Sequence, residues 1–75
     1  MTGVELKARF DAWGVSAAEG AKVLCLHTGK LSEYLSDVTP IPCAVAFHVE
    51  AISLLDPEVR AALIERRRRR RAHSR

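Results

Sequence analysis

From Thr28 to Ser36 the chain carries Thr28, Gly29, Lys30, Ser32, Glu33 and Ser36, polar or small residues interrupted by Leu31, Tyr34 and Leu35. These groups can do hydrogen-bond chemistry at the edge of a base pair. An ammonium donates to guanine O6 and N7, a carboxylate accepts from cytosine N4, and a hydroxyl does either. Thr28, Gly29, Lys30, Ser32 and Glu33 are therefore the candidate base contacts. Ser16, Ala17, His27, Tyr34 and Ser36 are candidate phosphate contacts, through side-chain donors or through backbone amides at a helix start. Arg66, Arg67, Arg68, Arg69, Arg70 and Arg71 form an unbroken run able to neutralise phosphate and release its counterions. The competing readings are a solvent-facing polar surface for the first set and a solvated helix end for the arginines. The helix macrodipole favours cations at a C-terminus, but that accounts for one or two of them.

Cys25, His27, Cys43 and His48 supply the residue types of a zinc site, as C-x-H followed by C-x4-H. The spacing matches no recurring finger pattern, so the expectation is no metal. Cys25 and Cys43 read instead as small buried hydrophobes, and a disulfide is not expected in a cytoplasmic chain. Cys43 falls in the first turn of an expected helix, a position that can lower a thiol pKa, so a redox role stays open. No strained nucleophile turn, glycine-rich phosphate loop or carboxylate pair is present, and neither an enzyme nor a cofactor or small-molecule ligand is expected.

The elements that must position these groups are short helices. Thr2 with Glu5, and Ser16 with Glu19, are capping boxes, in which the hydroxyl accepts from the amide three residues on while the carboxylate reaches back. Leu6, Phe10 and Trp13 then mark an amphipathic helix from Gly3 to Trp13, which Gly14 ends in a left-handed cap. A second helix is expected over 17–25 and a third over 28–36, with Ala21, Leu24, Leu31 and Leu35 facing a common core. Two prolines in Asp37 to Pro42 reopen the chain, and Pro42 suits the first position of a fourth helix carrying Val45, Val49 and Ile52. Asp56-Pro57 starts a fifth helix that runs into the arginines, with Val59, Leu63 and Ile64 on its apolar face. Phe10, Trp13, Tyr34 and Phe47 read as core residues, Tyr34 with its hydroxyl at the surface. The fold class is all-α, five short helices.

Seventy-five residues make one small domain, which buries only about 60% of its unfolded surface, so a dimer would help it. Ile52, Leu55, Val59 and Leu63 are the expected dimer interface. No apolar run approaches the roughly 18 residues of a membrane span, and the charged N-terminus does not read as a secretory signal. The expectation is a cytoplasmic protein with no membrane partner. The net charge of +3 conceals an asymmetry: residues 1–65 carry five basic and nine acidic side chains (−4), and residues 66–75 carry seven basic ones (+7). The division is thus a domain over 1–65 and an arginine-rich tail over 66–75, with a polyanion as the natural partner.

Gly14-Val15-Ser16 entering the second helix, Ala21 where that helix needs a small residue, Leu24 before the turn, Leu31 and Tyr34 in the third helix, and the Pro40-Ile41-Pro42 exit together resemble the phage-repressor and Cro-like (XRE-like) helix-turn-helix family. The resemblance covers residues 3–55. Within that family, the runs at Glu33 to Asp37 and Ile41 to Phe47 are most similar to small phage-encoded anti-CRISPR-associated autorepressors. The resemblance implies a third helix that enters the DNA major groove. It also implies a sequence-specific repressor that binds an inverted repeat in double-stranded DNA as a homodimer. There are three departures: Gly20 replaces a core aliphatic, at about 1 kcal/mol of helix propensity; Cys25 takes the turn position usually held by glycine; and Ala17 stands where a glutamine often touches DNA. Two other functions fit the same residues: a protein-interaction module with this helical body, and a non-specific nucleic-acid binder acting through the arginines.

Overall fold

The computed structural model describes residues 1–69, and among them the fold is five helices and no strand. They are α1 (Gly3–Trp13), α2 (Ala17–Leu24), α3 (Thr28–Leu35), α4 (Cys43–Ser53) and α5 (Pro57–Arg68). None is long and apolar enough to cross a membrane. Both capping boxes form. The Thr2 hydroxyl accepts from the Glu5 amide at 3.1 Å while Glu5 Oε1 accepts from the Thr2 amide at 2.8 Å. The Ser16 and Glu19 pair repeats this at 3.2 and 2.9 Å.

The first three helices end in one way. Gly14, Cys25 and Asp37 adopt left-handed backbone with φ of 73, 59 and 61°. Each lets the next amide turn back: Val15 to the Phe10 carbonyl, Leu26 to Ala21, and Val38 to Glu33, at 3.0, 2.8 and 3.0 Å. This is the Schellman closure, which satisfies the last carbonyls of a helix and turns the chain sharply. Only Gly14 occupies that conformation without a steric cost to its side chain. At Asp37 the strained residue bonds in return, its Oδ1 accepting from the Gly3 amide at 2.9 Å, one of the unpaired donors at the start of α1.

Leu6 and Phe10 of α1, Val15 of the connection that follows, Ala21, Val23 and Leu24 of α2, Leu31 and Tyr34 of α3, Val49 and Ile52 of α4 and Ile64 of α5 form one core. Gly20, which costs α2 helix propensity, has a packing reason. A Cβ built on it would lie 2.5 Å from Phe10 Cζ, so the tip of that ring occupies the place of the missing side chain.

Several sequence expectations need correction. Cys25 and Cys43 are exposed free thiols rather than buried groups, one on the outside of a turn and one in the first turn of α4. Phe47 is 64% exposed and not in the core. Pro42 is the N-cap of α4 rather than its first residue, and Asp56 makes no side-chain cap, so α5 begins on the rigid φ of Pro57 alone. Of the residues expected on the apolar face of α5, Ile64 is buried and Leu63 packs on the core, but Val59 is 53% exposed. The boundary drawn at residue 65 falls inside α5, which carries Arg66, Arg67 and Arg68.

Candidate nucleic-acid interface

The site is built on α2 and α3, joined by Cys25, Leu26 and His27. Leu31 and Tyr34 pin α3 inward at 2 and 6% exposure. Because they lie three residues apart, one stripe of α3 is buried and the residues between them face outward. Thr28, Gly29, Lys30 and Ser32 are exposed, and Glu33 is half-buried beside them. All five expected base contacts therefore share one accessible region at the start and middle of α3.

His27 is the N-cap of α3. Its Nδ1 accepts from the Gly29 amide at 3.3 Å, which leaves Nε2–H of the neutral ring as an outward donor. At the start of α2 the Ser16 hydroxyl accepts from Glu19 and keeps its own proton for an external acceptor. Ala17 is exposed at the first helical position, where a backbone amide has no intrahelical partner. The Ser36 hydroxyl donates to the Ser32 carbonyl at 2.9 Å, so its proton serves the end of α3. Tyr34 is a core residue, and among the described residues no buried polar side-chain atom lacks a partner.

Lys30 Nζ lies 3.3 Å from Glu33 Oε1, an oxygen that also accepts from Thr39 Oγ1 at 2.8 Å. The Thr39 hydrogen bond, then the Lys30 hydrogen bond and charge, hold the Glu33 carboxyl below its ordinary range, so it is ionised and accepts only. Nothing in the periodicity of the chain pointed to Thr39. Its partnership with Glu33 arises because the Schellman turn at Asp37 folds the following loop back onto α3.

The arginines divide. Arg67 is half-buried, its Nη1 donating to the Val23 carbonyl at 2.8 Å and lying 3.0 Å from His48 Nε2. A guanidinium can only donate, so His48 accepts through Nε2 as a neutral Nδ1–H tautomer. Burial first, and then the Arg67 charge, lower the His48 pKa from its ordinary value. Arg67 is thus a staple between α5 and α2, satisfying a carbonyl that the end of α2 leaves unpaired. Arg68 lies 3.5 Å from Glu19 and 3.7 Å from Glu65, and Arg69 is 2.8 Å from Glu65. The Glu19 carboxyl is held below its usual range, chiefly by the Ser16 backbone amide and with a contribution from Arg68. Arg66 and Arg69 are exposed. Arg70 and Arg71 lie outside the described residues.

The four expected interface residues do not share a surface. Ile52 is 2% exposed and Leu63 packs on the core, so both are held by the fold itself. Leu55 is half-buried and Val59 is exposed. The large exposed apolar groups on α4 and at its end are Phe47 and Leu54, at 64 and 81%, seven residues apart and hence on one helix face with Ala51 between them.

Comparison with known protein families, curated proteins and solved structures gives no match.

Proposed function

We propose that the chain is a sequence-specific DNA-binding regulator in which α2, the Cys25 turn and α3 form a helix-turn-helix, with α3 as the reading helix. The observation that carries this reading is the α2–α3 corner. A left-handed residue closes α2, three residues connect it to α3, and α3 is pinned by Leu31 and Tyr34 with Thr28, Gly29, Lys30 and Ser32 facing out. The Ser16 hydroxyl, the Ala17 amide and His27 Nε2–H are donors near the same corner, suited to positioning on phosphate. Arg66 and Arg69, together with Arg70 and Arg71, add sequence-independent attraction. The regulatory sense we propose, repression from an operator, is what the resemblance of residues 33–37 and 41–47 to phage-encoded autorepressors would imply.

A homodimer on an inverted repeat completes the proposal, because one eight-residue helix contacts too few base pairs to select a site in a genome. Its proposed interface is Phe47, Ala51 and Leu54. A helix with apolar residues on both faces is suited to burial on both faces, and α4 buries Val49 and Ile52 on one side while exposing Phe47 on the other. The test is selection of bound sequences from a random DNA library at physiological salt. A palindromic motif supports the reading, and unselective binding that fades with salt leaves the arginines as the sole attraction.

A protein-interaction module is the second reading. It draws on the same exposed Phe47 and Leu54, and on the partial neutralisation of Arg68 and Arg69 by Glu19 and Glu65. Retention of a DNA motif by a Phe47→Glu variant would separate the DNA site from this surface.

A further inference from the structure

Surface ion pairs one helical turn apart are common and need no support from outside the helix. The Lys30 and Glu33 pair has such support. Glu33 Oε1 takes both the Lys30 ammonium and the Thr39 hydroxyl, and the Glu33 carbonyl takes the amides of Val38 and Thr39 at 3.0 and 3.3 Å. Residues beyond the end of α3 therefore hold the glutamate in place. Among the described residues Glu33 Oε2 has no hydrogen-bond partner, and the Lys30 and Glu33 side chains keep 49 and 45% of their exposure. The result is an ammonium 3.3 Å from Glu33 Oε1, with Oε2 of the same carboxylate left as an acceptor beside it, on the outward part of α3.

One base pair presents the complement of that arrangement. In the major groove of G·C, guanine N7 and O6 are adjacent acceptors and the cytosine N4 amino group is the donor next to them. Cytosine N4 and guanine O6 are themselves hydrogen-bonded to each other, so they are neighbours in the groove as the paired ammonium and carboxylate are on α3. The T·A pair also offers an acceptor beside a donor, but it has no second acceptor on the lysine side and carries the C5-methyl group there. A carboxylate set against N7 or O6 would meet only acceptors, which fixes the orientation of the pair as well as its identity.

We propose that Lys30 and Glu33 act as one unit reading a single G·C pair, with the Lys30 ammonium on guanine, Glu33 Oε2 on cytosine N4, and Thr39 as the positioning residue that holds the carboxylate. This rests on the reading of α3 as the DNA-reading helix. The lysine alone would tolerate any base pair with an acceptor, and the glutamate supplies the discrimination. Thr39 touches no base in this arrangement and acts by restricting the rotamers of Glu33.

The test is selection from a random DNA library with the full chain as wild type, Glu33→Gln, Lys30→Met and Thr39→Val, the helical content of each being checked first by circular dichroism. Glutamine keeps an acceptor for Thr39 and nearly the same shape, so Glu33→Gln preserves the fold. The wild type should enrich G·C at one position of each half-site. Glu33→Gln should lower the preference for G·C there by about tenfold or more and leave the other positions unchanged. Lys30→Met should relax the same position, and Thr39→Val should relax it in the same direction by less. A purely structural role for Thr39 would weaken all sites equally. If the wild type enriches a motif that Glu33→Gln reproduces at every position, or if the position that changes is not G·C, the proposal is overturned while the reading of α3 stands. If the wild type enriches no motif, the reading of α3 fails and takes the proposal with it.

Discussion

The tip of the Phe10 ring fills the space that a side chain on Gly20 would occupy, its Cζ 2.5 Å from where a Cβ would stand. Substituting Gly20→Ala therefore overpacks the α1–α2 contact, and the helix propensity gained does not offset it. The variant should lose about 1–3 kcal/mol in urea unfolding. Phe10→Leu in the same chain should recover part of the loss, whereas additive losses would show that the two residues do not compete for this space.

Cys25 and Gly14 occupy equivalent positions at the ends of α2 and α1, with φ of 59 and 73°. Replacing Cys25 by glycine should stabilise the protein by about 1 kcal/mol, since relief of left-handed strain exceeds the entropy that glycine adds to the unfolded chain. Gly14→Ala should destabilise by a similar amount. Nothing lies within 4 Å of a Cβ there, so the effect is conformational and not steric. A lower melting temperature for Cys25→Gly would contradict this account.

His48 gives a pH signature. Its pKa is below 6.5 in the fold, so on acidification the unfolded chain takes up a proton first and unfolding is favoured. The contribution is fully present above pH 6.5, declines as pH falls through the window between 6.5 and the lower folded value, and levels off below that window. Glu19 and Glu33, both lowered from 4.5, lose their contributions at more acid pH. Denaturation across pH 5 to 8 should show a slope for the wild type that His48→Gln abolishes.

Arg67→Met removes the donor to the Val23 carbonyl and leaves that part-buried group unpaired, at a cost of about 1–3 kcal/mol. It also removes the charge beside His48. The imidazole titration followed by NMR should therefore move upward, toward but not fully to 6.5, because burial is the larger cause of its depression. A chain truncated after Glu65 should be less stable than one truncated after Arg69, which keeps the staple. Equal stability of the two would show that Arg67 holds nothing.

Phe47→Glu and Leu54→Glu should give folded monomers with unchanged helical content, because both side chains are exposed in the single chain, and a melting temperature lowered only by what dimerisation contributed. Ile52→Glu should unfold the domain instead. Light scattering across the micromolar range is the check, and a wild type that stays at 8.3 kDa would remove the dimer from the proposal.

Features set by neighbours within about five residues were legible in the sequence. Both capping boxes, the Gly14 cap and the helical order of all five elements depend on local spacing, and the helix ends differ from expectation by a single residue at 24, 35 and 43. Phe47 was misplaced because α4 is apolar on both faces, so periodicity cannot say which side the core takes. The cysteines were misplaced because their usual burial is a statistical habit, while a left-handed turn residue and a first-turn residue are set by backbone geometry. Thr39 and the divided arginines were not legible, since hydrogen bonds between segments as distant as Arg67 and Val23 follow from how helices dock. The expectation of one polar face on α3 came from the positions of Leu31 and Leu35, and the structure leaves Thr28, Gly29, Lys30 and Ser32 exposed with Glu33 half-buried beside them.

Val23 and Arg67 are 44 residues apart, farther than the partners of any other side-chain hydrogen bond among the described residues. Such a bond cannot form from local structure and exists only once α5 has docked on α2. Val23 also stands two residues before Cys25, in the last turn of α2. When α5 lifts away, the bond that steadies this turn is lost, and the hinge that sets the pitch of α3 loosens with it. Amide exchange at Cys25 and Leu26 would follow the docking of a helix that begins more than thirty residues later in the chain.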